Sequence, residues 1–158
     1  MRSLEKLFII APRAEPAYAL LGGATTVTKQ AAPEQHQFDI DVEERLILWQ
    51  VRGAVTLDSL LKTVERLYAH PDYDPSFDGI IDIQTSDWRL DYVELNEYSQ
   101  KINSSPNVSR GRTVLVAATP VAFGFARMYE GTRGKLAIDL HFEQTVEDAI
   151  AYLRSMSP

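Results

Sequence analysis

The 158-residue chain contains no cysteine. Disulfides, zinc–thiolate sites and cysteine nucleophiles are therefore excluded, while the compartment is left open. Long apolar runs are missing too. The start, MRSLEKLFIIAPRAEPAYALLGG, carries only Leu7 to Ala11 before Pro12, Arg13, Glu15 and Pro16 break it up. A secretory apolar segment needs about seven to fifteen uninterrupted residues, and a membrane span needs about twenty. Neither is present, so the expectation is a cytoplasmic protein with no membrane span. Phosphate-binding loops of the GxGxxG or GxxxxGK[ST] type do not occur, nor does a GxSxG elbow. The three histidines, His36, His70 and His141, form no HxH or HxxxH pair.

What is there is acidic and unevenly spread. The net charge is −6. Residues 1–37 carry four basic and three acidic side chains, and residues 38–158 carry twelve and nineteen. So acidic a region repels nucleic-acid phosphates unless its cations cluster. The one candidate cluster, Arg110, Arg112, Arg127, Arg133 and Lys135, has few aromatics interleaved, and no nucleic-acid partner is expected. Residues 1–37 show no sustained period of two or of 3.6 and read as a loosely ordered N-terminal extension. A single domain over 38–158 is long enough to bury a core.

Within that domain the periodicities are clear. FDIDV sets Phe38, Ile40 and Val42 on one side of a strand, with Asp39 and Asp41 on the other. Glu43, Glu44 and Arg45 make a turn, LILWQV returns as a second strand, and Gly53 ends it. Thr56 caps a helix whose Leu57, Leu60, Leu61, Val64, Leu67 and Tyr68 recur at spacings of three and four. HPDYDPSFDG breaks it. GIIDIQ reads as a central strand, Asp91–Ile102 as a helix, and TVLVAA as a buried strand. Thr119 and Pro120 start a third helix, in which Gly124 allows close approach to the sheet and Gly131 is the C-cap. LAIDLHF is the last strand, and Thr145 caps VEDAIAYLRSM. The order is ββαβαβαβα, an α/β fold with a single mixed sheet whose strands run parallel after the first hairpin.

Functional groups gather where strands run into loops. In GIIDIQTSDWRLDYVEL (79–95), Asp82 invites comparison with a phosphoryl-accepting aspartate. Such a site needs further acidic groups at another strand end to hold Mg²⁺, and LILWQVRG offers none. Asp72, Asp74, Asp78, Asp82, Asp87 and Asp91 lack calcium-loop spacing. His70, ahead of Pro71, reads as a residue at a helix C-terminus. No metal, cofactor or catalytic residue is expected.

The segments ILWQVRGAVTLDSLLKTVERLYAHPDYDPSFDGIIDI and VLVAATPVAFGFARMYEG, in this order, resemble the SpoIIAA-like group of STAS-fold proteins, also described as STAS/SEC14-like. The resemblance covers about residues 38–155, and AFGFARMYE after a buried strand is its most specific piece. It implies an anti-sigma-antagonist-like fold with helices mainly on one face, working through a protein partner, a second copy of the chain included. Switching members carry a phosphorylatable serine in a D-S-[ST]-G-like motif. The matching stretch here is Leu90-Asp91-Tyr92-Val93: Asp91 fits, Tyr92 replaces the serine, and the glycine is absent. The expected recognition surface joins Ser86, Trp88, Asp91 and Tyr92 with Thr119, Phe123 and Arg127. The alternative is a small apolar or amphipathic ligand in a cleft lined by Trp88, Tyr92, Phe123 and Phe125, as on the SEC14 side of the group. An enzyme using the aspartate-rich loops ranks third.

Overall fold

The computed structural model describes residues 36–83, 87–133 and 140–156. Strands β1 (His36–Asp41) and β2 (Leu46–Val51) pair as an antiparallel hairpin. Helix α1 (Leu57–Tyr68) leads to β3 (Asp78–Ile83), α2 (Tyr92–Asn103) to β4 (Thr113–Val116), and α3 (Pro120–Thr132) to β5 (Leu140–Glu143). Helix α4 (Val146–Ser155) follows. The sheet order is β1-β2-β3-β4-β5, with β2 to β5 parallel. The sequence-derived order of elements is the observed one.

Because each crossover steps to the next strand in the same direction, right-handed connections put all crossover helices on one face. The register shows it. Phe38, Trp49, Ile81, Leu115 and Phe142 lie in line across all five strands. Trp49, Val51, Leu60, Val64, Leu90, Leu95 and Tyr98 join α1 and α2 to that face. Ile83, Leu115, Ala117, Ala122 and Ala126 join α3 to it. The rows on the opposite face, which include Ile80, Asp82, Val114, Val116 and His141, meet α4. There His141 stacks on Tyr152 with ring centroids 3.8 Å apart. Helices are thus mainly on one face, three against one. Each fully buried aliphatic side chain, such as Ile80 or Leu95, contributes about 1.5–3 kcal/mol.

All four helices start as their sequences predict. Thr56, Asp91, Thr119 and Thr145 accept hydrogen bonds from the backbone N–H groups of Ser59, Glu94, Ala122 and Asp148. Three expectations need correction. β1 begins at His36, two residues ahead of the 37/38 boundary, and Val42 sits exposed in the turn instead of facing the core. Arg45 makes that turn possible by adopting a positive φ of 54°. In α3, a Cβ built on Gly124 or Gly131 meets no atom within 4 Å, so neither glycine serves close packing. Nor does Gly131 end the helix, which runs to Thr132 with Arg133 as its C-cap in ordinary helical geometry.

The glycine that packing does demand is Gly111. A Cβ there would lie 2.0 Å from the Phe77 carbonyl oxygen, where Arg110 and Gly111 donate backbone hydrogen bonds to the Pro75 carbonyl. Next to it, Arg112 donates to both carboxylate oxygens of Asp78, tying the beginnings of β3 and β4 together.

Candidate functional site

Parallel strands direct their C-terminal ends, and the helix N-termini that follow them, to one end of the sheet. The predicted recognition residues lie there, apart from Ser86, which falls outside the described residues. Trp88 is held by a parallel bridge to Val55, with Val55 donating to the Asp87 carbonyl and Arg89 to the Val55 carbonyl. The loops after β2 and β3 are therefore joined. Trp88 then stacks on Phe125 of α3, centroids 3.5 Å apart and planes 16° from parallel. This stack connects the loop ahead of α2 to α3.

Asp91 is committed to structure. Its carboxylate accepts from Glu94 N–H at 2.8 Å, and the Glu94 carboxylate accepts from Asp91 N–H at 3.0 Å, a complete capping box. Thr119 likewise accepts from Ala122 N–H at 3.2 Å. Phe123 meets Phe142 edge-on at 5.9 Å. Arg127 lies 5.7 Å from the same Phe142 ring and pairs with Glu130 at 2.6 Å. The two caps hold the helices in place, and the apolar side chains carry the surface.

That surface is open. Val93 is 71% exposed, Tyr92 and Val121 56%, and Phe123 48%. Tyr92 and Val93 occupy the first turn of α2, and Val121 the first turn of α3. Val121 stands one turn ahead of Phe125 on the side that meets Trp88. Ion pairs of Arg89 with Asp87 and of Arg127 with Glu130 border the region. The expected recognition surface named Tyr92 and Phe123. Val93 and Val121 were missed, because an isolated valine in a first turn gives no sequence signal.

Asp82 lies at this end of β3 but on the opposite face of the sheet. Its side chain lies on the α4 face and is 1% exposed. Burial raises its pKa, Arg52 at 3.9 Å opposes the rise, and Glu147 of α4 adds to it. The supposed basic cluster is divided as well. Arg112 is taken by Asp78 and Arg127 by Glu130, while Arg133 is buried; Lys135 lies outside the described residues. Among the described residues no group of three His, Asp or Glu converges as a metal site, and no helix is long and apolar enough to cross a membrane.

The opposite end of the sheet carries a partly open pocket. A cavity of 90 Å³ lies between the beginnings of β3 and β4 and the last turns of α1, α2 and α3. Tyr68, Tyr73, Tyr98, Tyr129 and Arg133 are part of its wall. A smaller chamber of 40 Å³ shares Trp49, Ile81, Tyr98 and Tyr129 with it and continues along the sheet to Trp88 and Phe125. The ligand cleft expected around Trp88 and Phe125 is thus a small, partly open hollow lined by both rings, and Tyr92 and Phe123 are not part of its lining. Compared with known proteins, the chain matches no family model, no curated protein and no solved structure.

Proposed function

We propose that the protein is a non-enzymatic recognition module of STAS-like architecture that binds a protein partner through the C-terminal end of its parallel strands. One observation carries this reading: the half-to-fully open apolar side chains of Tyr92, Val93, Val121 and Phe123 on the first turns of two neighbouring helices. Exposed apolar groups with a charged border are what protein interfaces use. The stacked Trp88 and Phe125 give them a rigid base, so little ordering entropy is lost on binding. The singly wound sheet and the ββαβαβαβα order support the STAS-like assignment.

Reaction chemistry has less behind it. The described histidine–carboxylate pairs, His70 with Asp72 and His141 with Glu143, join residues two apart in sequence, and neither lines the two cavities.

The test uses Val93→Asp and Val121→Asp, acidic substitutions that helix first turns accept. Association is measured by sedimentation over a concentration series and by quantitative co-purification against Lys62→Asp, a control on α1. Loss of a specific complex by about tenfold or more in the two valine variants and not in the control is expected for a central apolar contact. Equal behaviour of all three proteins would refute the proposal.

A further inference from the structure

The end of the sheet where the parallel strands begin contains an imbalance of charge. Arg133 is 7% exposed and Trp49 6%, and the Arg133 Nη1 and Trp49 Nε1 atoms, both buried, have no hydrogen-bond partner. Both residues line the 90 Å³ cavity, and among the described residues no Asp or Glu does. The guanidinium lies 5.4 Å from the Tyr129 ring centroid. That contact offsets part of its desolvation, but it gives the N–H groups no acceptor. A buried cation without a counter-charge is costly. It is the more conspicuous in a chain whose net charge is −6.

The space itself is a feature of the sequence. Gly79 sits in the central strand β3 and lines the cavity. A Cβ built there comes no closer than 4.0 Å to any atom, the nearest being the Thr113 hydroxyl. Any larger residue at position 79 would therefore occupy the chamber. Its polar groups are a guanidinium and an indole N–H, which only donate, and phenols and the Ser109 and Thr113 hydroxyls, which can donate. Burial raises the phenols of Tyr98 and Tyr129, with the Arg133 charge pulling the other way, so they remain O–H donors at neutral pH.

We infer that this chamber is a binding site for a small monocarboxylic acid, with the carboxylate on Arg133 and Trp49 and the apolar tail along the sheet. Three features select that class. The two buried polar atoms of its wall without a partner, Arg133 Nη1 and Trp49 Nε1, are both donors, which calls for an anion. The remaining wall is mainly apolar, including Ile47, Val64, Leu67, Ile81 and Ile102, which calls for a hydrocarbon portion. The helices present their C-terminal, negative ends here, which disfavours a doubly charged phosphate. A cavity of about 150 Å³ admits benzene, so 90 Å³ suits a short chain whose end reaches the adjoining chamber at Trp49 and Ile81. The site is independent of the partner surface and stands or falls without it.

The experiment titrates the full chain with butyrate, hexanoate, 1-hexanol and inorganic phosphate, reading tryptophan fluorescence and the thermal midpoint. Hexanoate should saturate at millimolar concentration or below and raise the midpoint by linkage, while phosphate should not saturate. Arg133→Met should weaken hexanoate by about tenfold or more and leave hexanol unchanged. Without ligand, that variant should melt at the same temperature or higher, because it removes an unpaired buried charge. Gly79→Val should abolish binding of both tail-bearing probes while the protein stays folded. Absence of saturable acid binding, equal affinity for acid and alcohol, undiminished binding by Arg133→Met, or acid binding that survives Gly79→Val would each overturn the inference.

Discussion

The two ends of the parallel sheet handle apolar surface in opposite ways. At the C-terminal end of the strands, helix first turns hold Tyr92, Val93, Val121 and Phe123 out toward solvent. At the N-terminal end, Tyr68 of α1, Tyr98 of α2 and Tyr129 of α3 line a pocket. Both arrangements rest on the same framework. The capping threonines and aspartate fix the open end. Gly111, the Asp78–Arg112 pair and a buried Ser99–Thr132 hydrogen bond of 2.7 Å fix the other. One sheet can thus carry an outward-facing apolar surface at one end and a pocket at the other.

The largest effect is expected at the N-terminal end of the strands. Gly111→Ala would drive a methyl group into the Phe77 carbonyl, and a cost of about 3 kcal/mol is expected for such rigid overpacking. Urea unfolding should show a lower midpoint with little change in slope. Alkaline titration ranks next. Burial raises Tyr68 to about 12, and it also raises Tyr73, Tyr98 and Tyr129. These phenols hold their protons more tightly folded than unfolded. Their contribution is therefore complete below the ordinary tyrosine value of about 10 and is lost as the pH climbs through the folded values. Stability should fall steeply above about pH 10, and phenolate absorbance should rise together with unfolding.

Smaller effects sharpen the comparison at the open end. Thr119→Ala removes the cap of α3 and should cost about 1 kcal/mol, while a folded molecule keeps its apolar surface. Partner binding corrected for the folded fraction should then be unchanged. Val93→Ser, at the most exposed of the apolar positions, should alter stability by no more than about 0.5 kcal/mol. Its effect should appear in association alone, as measured by titration calorimetry with the partner.

Most of the framework was legible in the sequence, for local reasons. Leu57, Leu60, Val64 and Leu67 show the helical period directly. Each helix announces its start by a hydroxyl or carboxylate cap, and the strands by their alternation or apolar density. Legibility failed where the meaning of a residue depends on distant partners. Gly124 looked like a packing device and Gly131 like a C-cap, yet both lie on the solvent side of α3, whereas Gly111 was hidden in a loop-like stretch. Val42 continued the alternation of β1 past the point where Arg45 turns the chain. The pocket left no trace, because it arises from a missing side chain at Gly79 and from tyrosines contributed by three helices and a loop. Arg133 was grouped with surface cations by sequence proximity, although its guanidinium is buried.

The central claim is that the open end, rather than any other exposed face, is where another protein docks. Its most direct test places a photoactivatable diazirine side chain at Val121 in one sample and at Lys62 in another, with illumination in living cells. The account predicts a discrete covalent adduct to one protein, a second copy of the chain included, from position 121 and none from position 62. No adduct from 121, or the same adducts from both positions, would contradict it.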